Sequence, residues 1–245
     1  VLFLYLKEKK IHMVKLITLE NLKTFLDKLR EELNESASVD DYCVPDGTEI
    51  VTAEMFEKYH LTEKMYLAFP PSVKKIENFN FFAYPFNNKK QLLIAVSLPQ
   101  CTTVGCMVFQ DCSSLTTVSL PQCSIVENNA FRNCSSLTTV SLPQCSTVEN
   151  NVFQGCVSLL TVSLPQCTTV RETAFGGCVS LLTVSLPQCT TVIRTAFGGC
   201  GSLQTLIINE KANIDNINDW GVPFTATIYN ETKTKKLVNG RWETV

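Results

Sequence analysis

Charge is scarce through the middle of this chain. Between Ser97 and Leu206 only seven side chains carry it: Asp111, Glu127, Arg132, Glu149, Arg171, Glu172 and Arg194. The whole chain has a net charge of −2, so no basic stripe exists to follow a phosphate backbone, and a nucleic-acid partner is not expected. Histidine is almost missing, and both residues, His12 and His60, lie outside the charge-poor stretch. There is no glycine-rich phosphate loop and no Gly-x-Ser-x-Gly elbow. The sequence therefore supplies no catalytic residue and no cofactor site, and the expectation is a protein that is not an enzyme. Long apolar runs are also missing. Val1 to Leu6 is too short for a signal-peptide core or a membrane span, so membrane insertion is not expected. The chain opens with Val, and Met13 stands just before a helical pattern; residues 1–12 are expected to be upstream read-through, which would exclude a signal peptide.

What the chain does have is repetition. Ser-Leu-Pro-Gln-Cys occurs at residues 97–101, 119–123, 141–145, 163–167 and 185–189, always 22 residues apart. A fixed short period indicates a solenoid, in which coils bury their apolar sides only by stacking. Apolar columns run through Val104, Val126, Val148, Val170 and Val192, through Phe109, Phe131, Phe153, Phe175 and Phe197, and through Leu115, Leu137, Leu159, Leu181 and Leu203. In Leu-Thr-Thr-Val-Ser-Leu-Pro, Val118 and Leu120 fall on one face of an extended segment and Thr117 and Ser119 on the other. One short parallel strand per coil is expected, ended by Pro121 and its equivalents where a missing N–H does no harm.

These residues resemble a known family. The pattern Leu-x-x-Val-x-Leu-Pro-x-x-x-x-Val, followed by Ala-Phe-x-x-Cys-x-x-Leu as in Leu137 to Leu159 with Val152 in the Ala place, is similar to the BspA-like leucine-rich repeat over roughly residues 70–209. The resemblance implies a surface or secreted interaction protein of bacteria or parasitic protists, with related repeats in gut phages. It implies binding and carries over no catalytic residue.

The chain has 12 cysteines, and ten form two columns, 101/123/145/167/189 and 112/134/156/178/200. Neighbours in a column stand one strand spacing apart, roughly 4.8 Å, which a disulfide could span. Their Cβ vectors run parallel, however, and five per column leaves one over. No Cys-x-x-Cys suggests a metal site. Val73 stands in the cysteine place of an upstream segment, Pro71 to Ile76, that aligns with Pro99 to Val104. Both columns therefore read as small buried residues with a weak S–H donor, with disulfides and metal as the alternatives. Cys106, in a variable outer position, is either a reactive thiol or a partly covered surface cysteine.

The flanks differ from the repeats. Leu19, Leu22, Leu26, Leu29 and Leu33, with Thr18 as N-cap, form the apolar stripe of an amphipathic helix. It serves either as a cap on the solenoid or as an oligomerising helix, with a homotrimer as the expected assembly in the second case. Residues 34–47 read as a linker and 53–59 as a second helix. The expected organisation is an α+β solenoid: a helical N-terminal module and linker over 13–66, a leucine-rich-repeat stack over 67–209 whose degenerate first coil is 67–96, and a C-terminal β cap over 210–245. Phe69 to Phe86 would close one end of the stack. In the cap, 225–229 reads as a strand and Lys236 to Trp242 as a hairpin around Asn239-Gly240.

Two surfaces are candidates for binding a protein or glycan ligand. The strand face offers Thr117, Ser119, Gln122, Thr139, Ser141, Gln144, Thr161, Ser163, Gln166, Thr183, Ser185 and Gln188, either as a ladder for a repetitive ligand or ordered water, or as solvent-tolerant residues copied by duplication. The variable loops offer Glu127, Asn128, Glu149, Asn150, Arg171, Glu172 and Arg194 on the far side of the coil. The expected function is adhesion or recognition. The alternative is a phage tail or receptor-binding component, assembled through the Leu19–Leu33 helix. By resemblance the location is a cell surface or a virion.

Overall fold

The computed structural model describes residues 2–5, 47–52, 65–69, 71–77 and 93–245. The Leu19–Leu33 helix with its Thr18 cap, the linker up to residue 46, the 53–59 helix, Met13, His12, His60 and Cys43 lie outside these residues.

In the repeats the sequence alternation produces strands where expected, and a second set besides; Leu2–Tyr5 and Met65–Ala68 add strands that the alternation did not indicate. One side of the stack is built by β1 (Leu2–Tyr5), β3 (Met65–Ala68), β5 (Leu93–Ser97), β7 (Thr117–Ser119), β9 (Thr139–Ser141), β11 (Thr161–Ser163), β13 (Thr183–Leu186) and β15 (Thr205–Ile208). A second side is built by the two-residue strands β2 (Ile50–Val51), β4 (Lys75–Ile76), β6 (Thr103–Val104), β8 (Ile125–Val126), β10 (Thr147–Val148), β12 (Thr169–Val170) and β14 (Thr191–Val192), hydrogen-bonded in chain order as one seven-stranded parallel sheet. The expectation of one strand per coil is thus corrected to two. After the Pro121-Gln122 turn the chain extends again, and Ile125 stays exposed while Val126 is buried, so the valine column itself has strand geometry. The α+β class is corrected with it: among the described residues the stack is a β-solenoid, and the one helical element is a 3-10 turn, Ile217–Trp220.

Register follows the 22-residue period. Thr117 pairs with Thr139, Val118 with Val140 and Ser119 with Ser141; Thr161 pairs with Thr183 and Ser163 with Ser185. β9 and β11 belong to different sheets, although Leu160 N–H still reaches the Thr138 carbonyl at 3.4 Å. Upstream, Ile50–Val51 repeats the exposed-then-buried pattern and pairs with Lys75–Ile76. The ladder therefore extends into residues that the sequence reading placed before the stack.

Each coil closes around the same core. Val118, Leu120, Cys123, Val126, Ala130, Phe131, Cys134 and Leu137 are all buried, as are their equivalents in the neighbouring coils. Phe109, Phe131, Phe153, Phe175 and Phe197 form a continuous offset stack with ring centroids 5.3 to 5.7 Å apart. Burying each such ring contributes about 1.5–3 kcal/mol, with stacking adding to it. The corner that carries the phenylalanine needs two left-handed residues. The first column is Met107, Asn129, Asn151, Thr173 and Thr195, with φ between 56° and 61°; the second is Asp111, Asn133, Gly155, Gly177, Gly199 and Gly221.

At the C-terminal end Phe197 N–H donates to the carbonyl of the buried Trp220 at 2.8 Å. β16 (Thr227–Asn230) then adds a further parallel rung to β15. An antiparallel hairpin, β17 (Lys235–Val238) and β18 (Arg241–Thr244), closes the sheet, turning on Asn239 and Gly240 at φ 49° and 74°. Two positive φ values are what a type I′ turn requires. Asn230, buried, fixes the closure: its amide donates to Thr232 and Thr234 hydroxyls, and its Oδ1 accepts from Lys235 N–H.

Candidate binding surfaces

The strand face is laid out as its alternation dictates. Thr117, Ser119, Gln122, Thr139, Ser141, Gln144, Thr161, Ser163, Gln166 and Gln188 are exposed, and Thr183 and Ser185 are half-buried. The intervening valines and leucines point into the core. Beside this face runs another line of hydroxyls that the fold itself uses: Thr116 donates to the Ile94 carbonyl at 3.0 Å and Thr138 to that of Thr116 at 3.2 Å. The hydroxyls of the strand face make no side-chain hydrogen bond among the described residues.

The variable residues gather on the corner after the second strand of each coil. Many of their polar groups satisfy one another across coils. Arg171 Nε meets Glu149 Oε2 at 2.9 Å, and Arg194 Nε meets Glu172 Oε1 at 3.1 Å. Asn128 Oδ1 accepts from Asn150 N–H at 3.1 Å. Glu127 is half-buried on the same corner, beside the exposed Asn128.

The thiol columns are internal. All ten column cysteines are buried, and among the described residues none is in a disulfide. In the first column, S–H groups of Cys101, Cys123 and Cys145 donate to the carbonyls two residues on at 3.1 Å. In the second, Cys134, Cys156, Cys178 and Cys200 donate to phenylalanine carbonyls of the preceding coil at 3.1 to 3.2 Å. Burial pushes the thiols of Cys123, Cys145, Cys156 and Cys189 up to about 12. Cys106 is half-buried; burial and then the Glu127 carboxylate raise its pKa. A thiol held protonated is a poor nucleophile, which favours the covered surface cysteine over the reactive one.

One surface feature escaped the sequence reading. Val157, Leu160, Val179 and Leu182 are exposed, at 38%, 44%, 49% and 38%. They sit at matching places in two adjacent coils. The signal was present: Ser-Ser-Leu-Thr at 113–116 and 135–138 becomes Val-Ser-Leu-Leu at 157–160 and 179–182.

Comparison with known proteins agrees with this architecture. A leucine-rich repeat protein from Bacteroides ovatus superposes with a TM-score of 0.55 at 21% identity, over 66% of this chain and 41% of that one. A leucine-rich cell surface protein from Faecalibacterium prausnitzii gives 0.57 at 23% identity, over 82% and 55%. A leucine-rich repeat protein of T. pallidum gives 0.52 at 20% identity, over 69% and 91%. The chain thus spans about half the length, or less, of the first two. No curated protein matches it in sequence. The model of the BspA type leucine rich repeat region matches six copies, over residues 28–156 and 102–221, and with its columns, coil register and phenylalanine corner the chain belongs to that family.

Proposed function

We propose that the chain is a non-enzymatic recognition module, displayed at a cell surface, that holds its ligand on the outside of the solenoid. The segregation of its surface carries this reading. Within residues 97–206 charge is confined to the corners, while the strand side of β7, β9, β11 and β13 repeats the same uncharged polar groups, without side-chain hydrogen bonds among the described residues. A scaffold whose core is filled by duplicated columns is free to vary its exterior, and stacked coils of this kind present extended binding surfaces. The likeness to a leucine-rich cell surface protein supports the location.

The test is capture by the immobilised full chain, compared between variants of the two faces: Ser163→Ala with Ser185→Ala on the strands, and Glu149→Ala with Arg171→Ala on the corner. A specific ligand lost with one pair and retained with the other supports the reading. Equal retention by both variants would argue against a ligand site on either surface. Protease treatment of intact cells should remove the protein if it is displayed.

A further inference from the structure

The stretches 113–126, 135–148, 157–170 and 179–192 contain no Asp, Glu, Lys or Arg. They also contain no aromatic residue, although Trp, Tyr and Arg are the usual anchors of protein–protein interfaces. Within this neutral surface, β11 and β13 differ from the rungs before them. In the earlier coils the residues next to the strand are Thr116 and Thr138, whose hydroxyls are bound to backbone carbonyls. On β11 and β13 those places are taken by Leu160 and Leu182, both exposed. Beside them the paired Thr161–Thr183 and Ser163–Ser185 present unspent hydroxyls. The same two coils therefore juxtapose bare aliphatic surface with groups that both donate and accept hydrogen bonds.

We propose that the outward face of β11 and β13, edged by Leu160 and Leu182, binds an extended neutral β-1,4-linked polysaccharide laid across the strands. The proposal rests on the recognition reading and names its ligand class. A pyranose ring has a polar rim of hydroxyls and an apolar face of C–H groups, which is the division this surface repeats. Along an extended β-1,4-linked chain each sugar advances by a distance comparable with the ~4.8 Å between strands and is turned over relative to its neighbour. Both faces of an equatorially substituted pyranose carry C–H groups, however, so each of two successive sugars can lay an apolar face against one coil. Neutrality of the face leaves no charge to pair with an anionic polymer, and none to be desolvated by a neutral one. Binding is built from weak contacts at two coils, and a polymer gains over a disaccharide by offering many such units in one chain.

The experiment uses the full chain in affinity electrophoresis through hydroxyethylcellulose and glycol chitin, with polygalacturonate as the anionic control. Titration with cello- and chito-oligosaccharides of two to six units follows. Retardation by a neutral polymer and not by polygalacturonate is expected, with the dimer already spanning the two coils and affinity changing by less than about threefold from dimer to tetramer. Leu160→Thr with Leu182→Thr restores the residues of the preceding coils and so keeps the fold, and it should weaken binding by about tenfold. Absence of retardation in both neutral polymers overturns the proposal, as does equal retardation of the double variant. If the neutral polymers do not retard the chain but a protein ligand is captured and lost in the double variant, the glycan assignment falls and the recognition reading stands.

Discussion

Asn133 lies against Gly155 so closely that a Cβ at residue 155 would stand 2.3 Å from Asn133 Oδ1. The same amide donates to Asp111 Oδ1 at 2.9 Å, so it has a reason to hold that position. Gly155 also has φ +73°, where an L side chain costs about 1–2 kcal/mol. Gly155→Ala should therefore destabilise the chain by about 2–3 kcal/mol, read from urea unfolding. Adding Asn133→Gly should recover the steric part and leave the backbone part, a non-additivity that a double-mutant cycle measures directly.

Thr195 supplies the opposite case, a strained residue that can be relieved. It is β-branched at φ 57°, in the column where Asn129 and Asn151 sit at 60° and 58°. Asparagine visits the left-handed region far more readily than threonine. Thr195→Asn gives up the Thr173–Thr195 hydroxyl contact, which is exposed and worth little. A net gain of about 0.5–1 kcal/mol is expected in the same unfolding assay; a loss would mean that the hydroxyl contacts of Thr195 outweigh the backbone strain.

These two columns also show where sequence reading succeeds and where it stops. The buried positions were legible because burial in a stacked coil demands the same residue every 22 positions. Val118, Leu120 and Phe131 read as core because their equivalents are core. The hairpin at Asn239-Gly240 was legible because few dipeptides tolerate two positive φ values. The second strand of each coil was not, since two residues such as Ile125–Val126 are too short to show a period of their own and pair only because the neighbouring coil supplies the ladder. The exposed Leu160 and Leu182 were hidden for another reason: beside Leu159 and Leu181 they look like continued core, and only the coil geometry shows that one of each pair points out.

The buried thiols link stability to alkaline pH. A thiol raised from 9.0 to about 12, as at Cys145, is protonated in both the folded and unfolded chain below pH 9. Above that the unfolded chain ionises first, so stability is whole below pH 9 and is lost as pH climbs toward 12. Cys145→Val places in this column the residue that Val73 already contributes, buried, in an earlier coil. At pH 7 the exchange should change stability by less than about 1 kcal/mol. At pH 11 the variant should gain about 2–3 kcal/mol relative to the parent, visible as a shallower loss of circular dichroism with pH. Native thiol titration at pH 8 should leave the ten column cysteines unmodified, and denaturant should expose them.

The corner ion pairs separate a binding role from a structural one. Arg171 and Glu149 are 48% and 29% exposed, and Arg194 and Glu172 are 71% and 45%. Pairs this open are worth about 0–1 kcal/mol and are screened by salt. Glu149→Ala with Arg171→Ala should therefore shift the urea midpoint by no more than such an amount, and by less at high salt. Because the pair contributes so little to the fold, its removal is a clean probe of recognition. A ligand that reads the corner loses affinity well beyond the change in stability. One that reads the uncharged strand face binds the double variant as it binds the parent, because those two side chains stand at the corner and outside the strand-face columns.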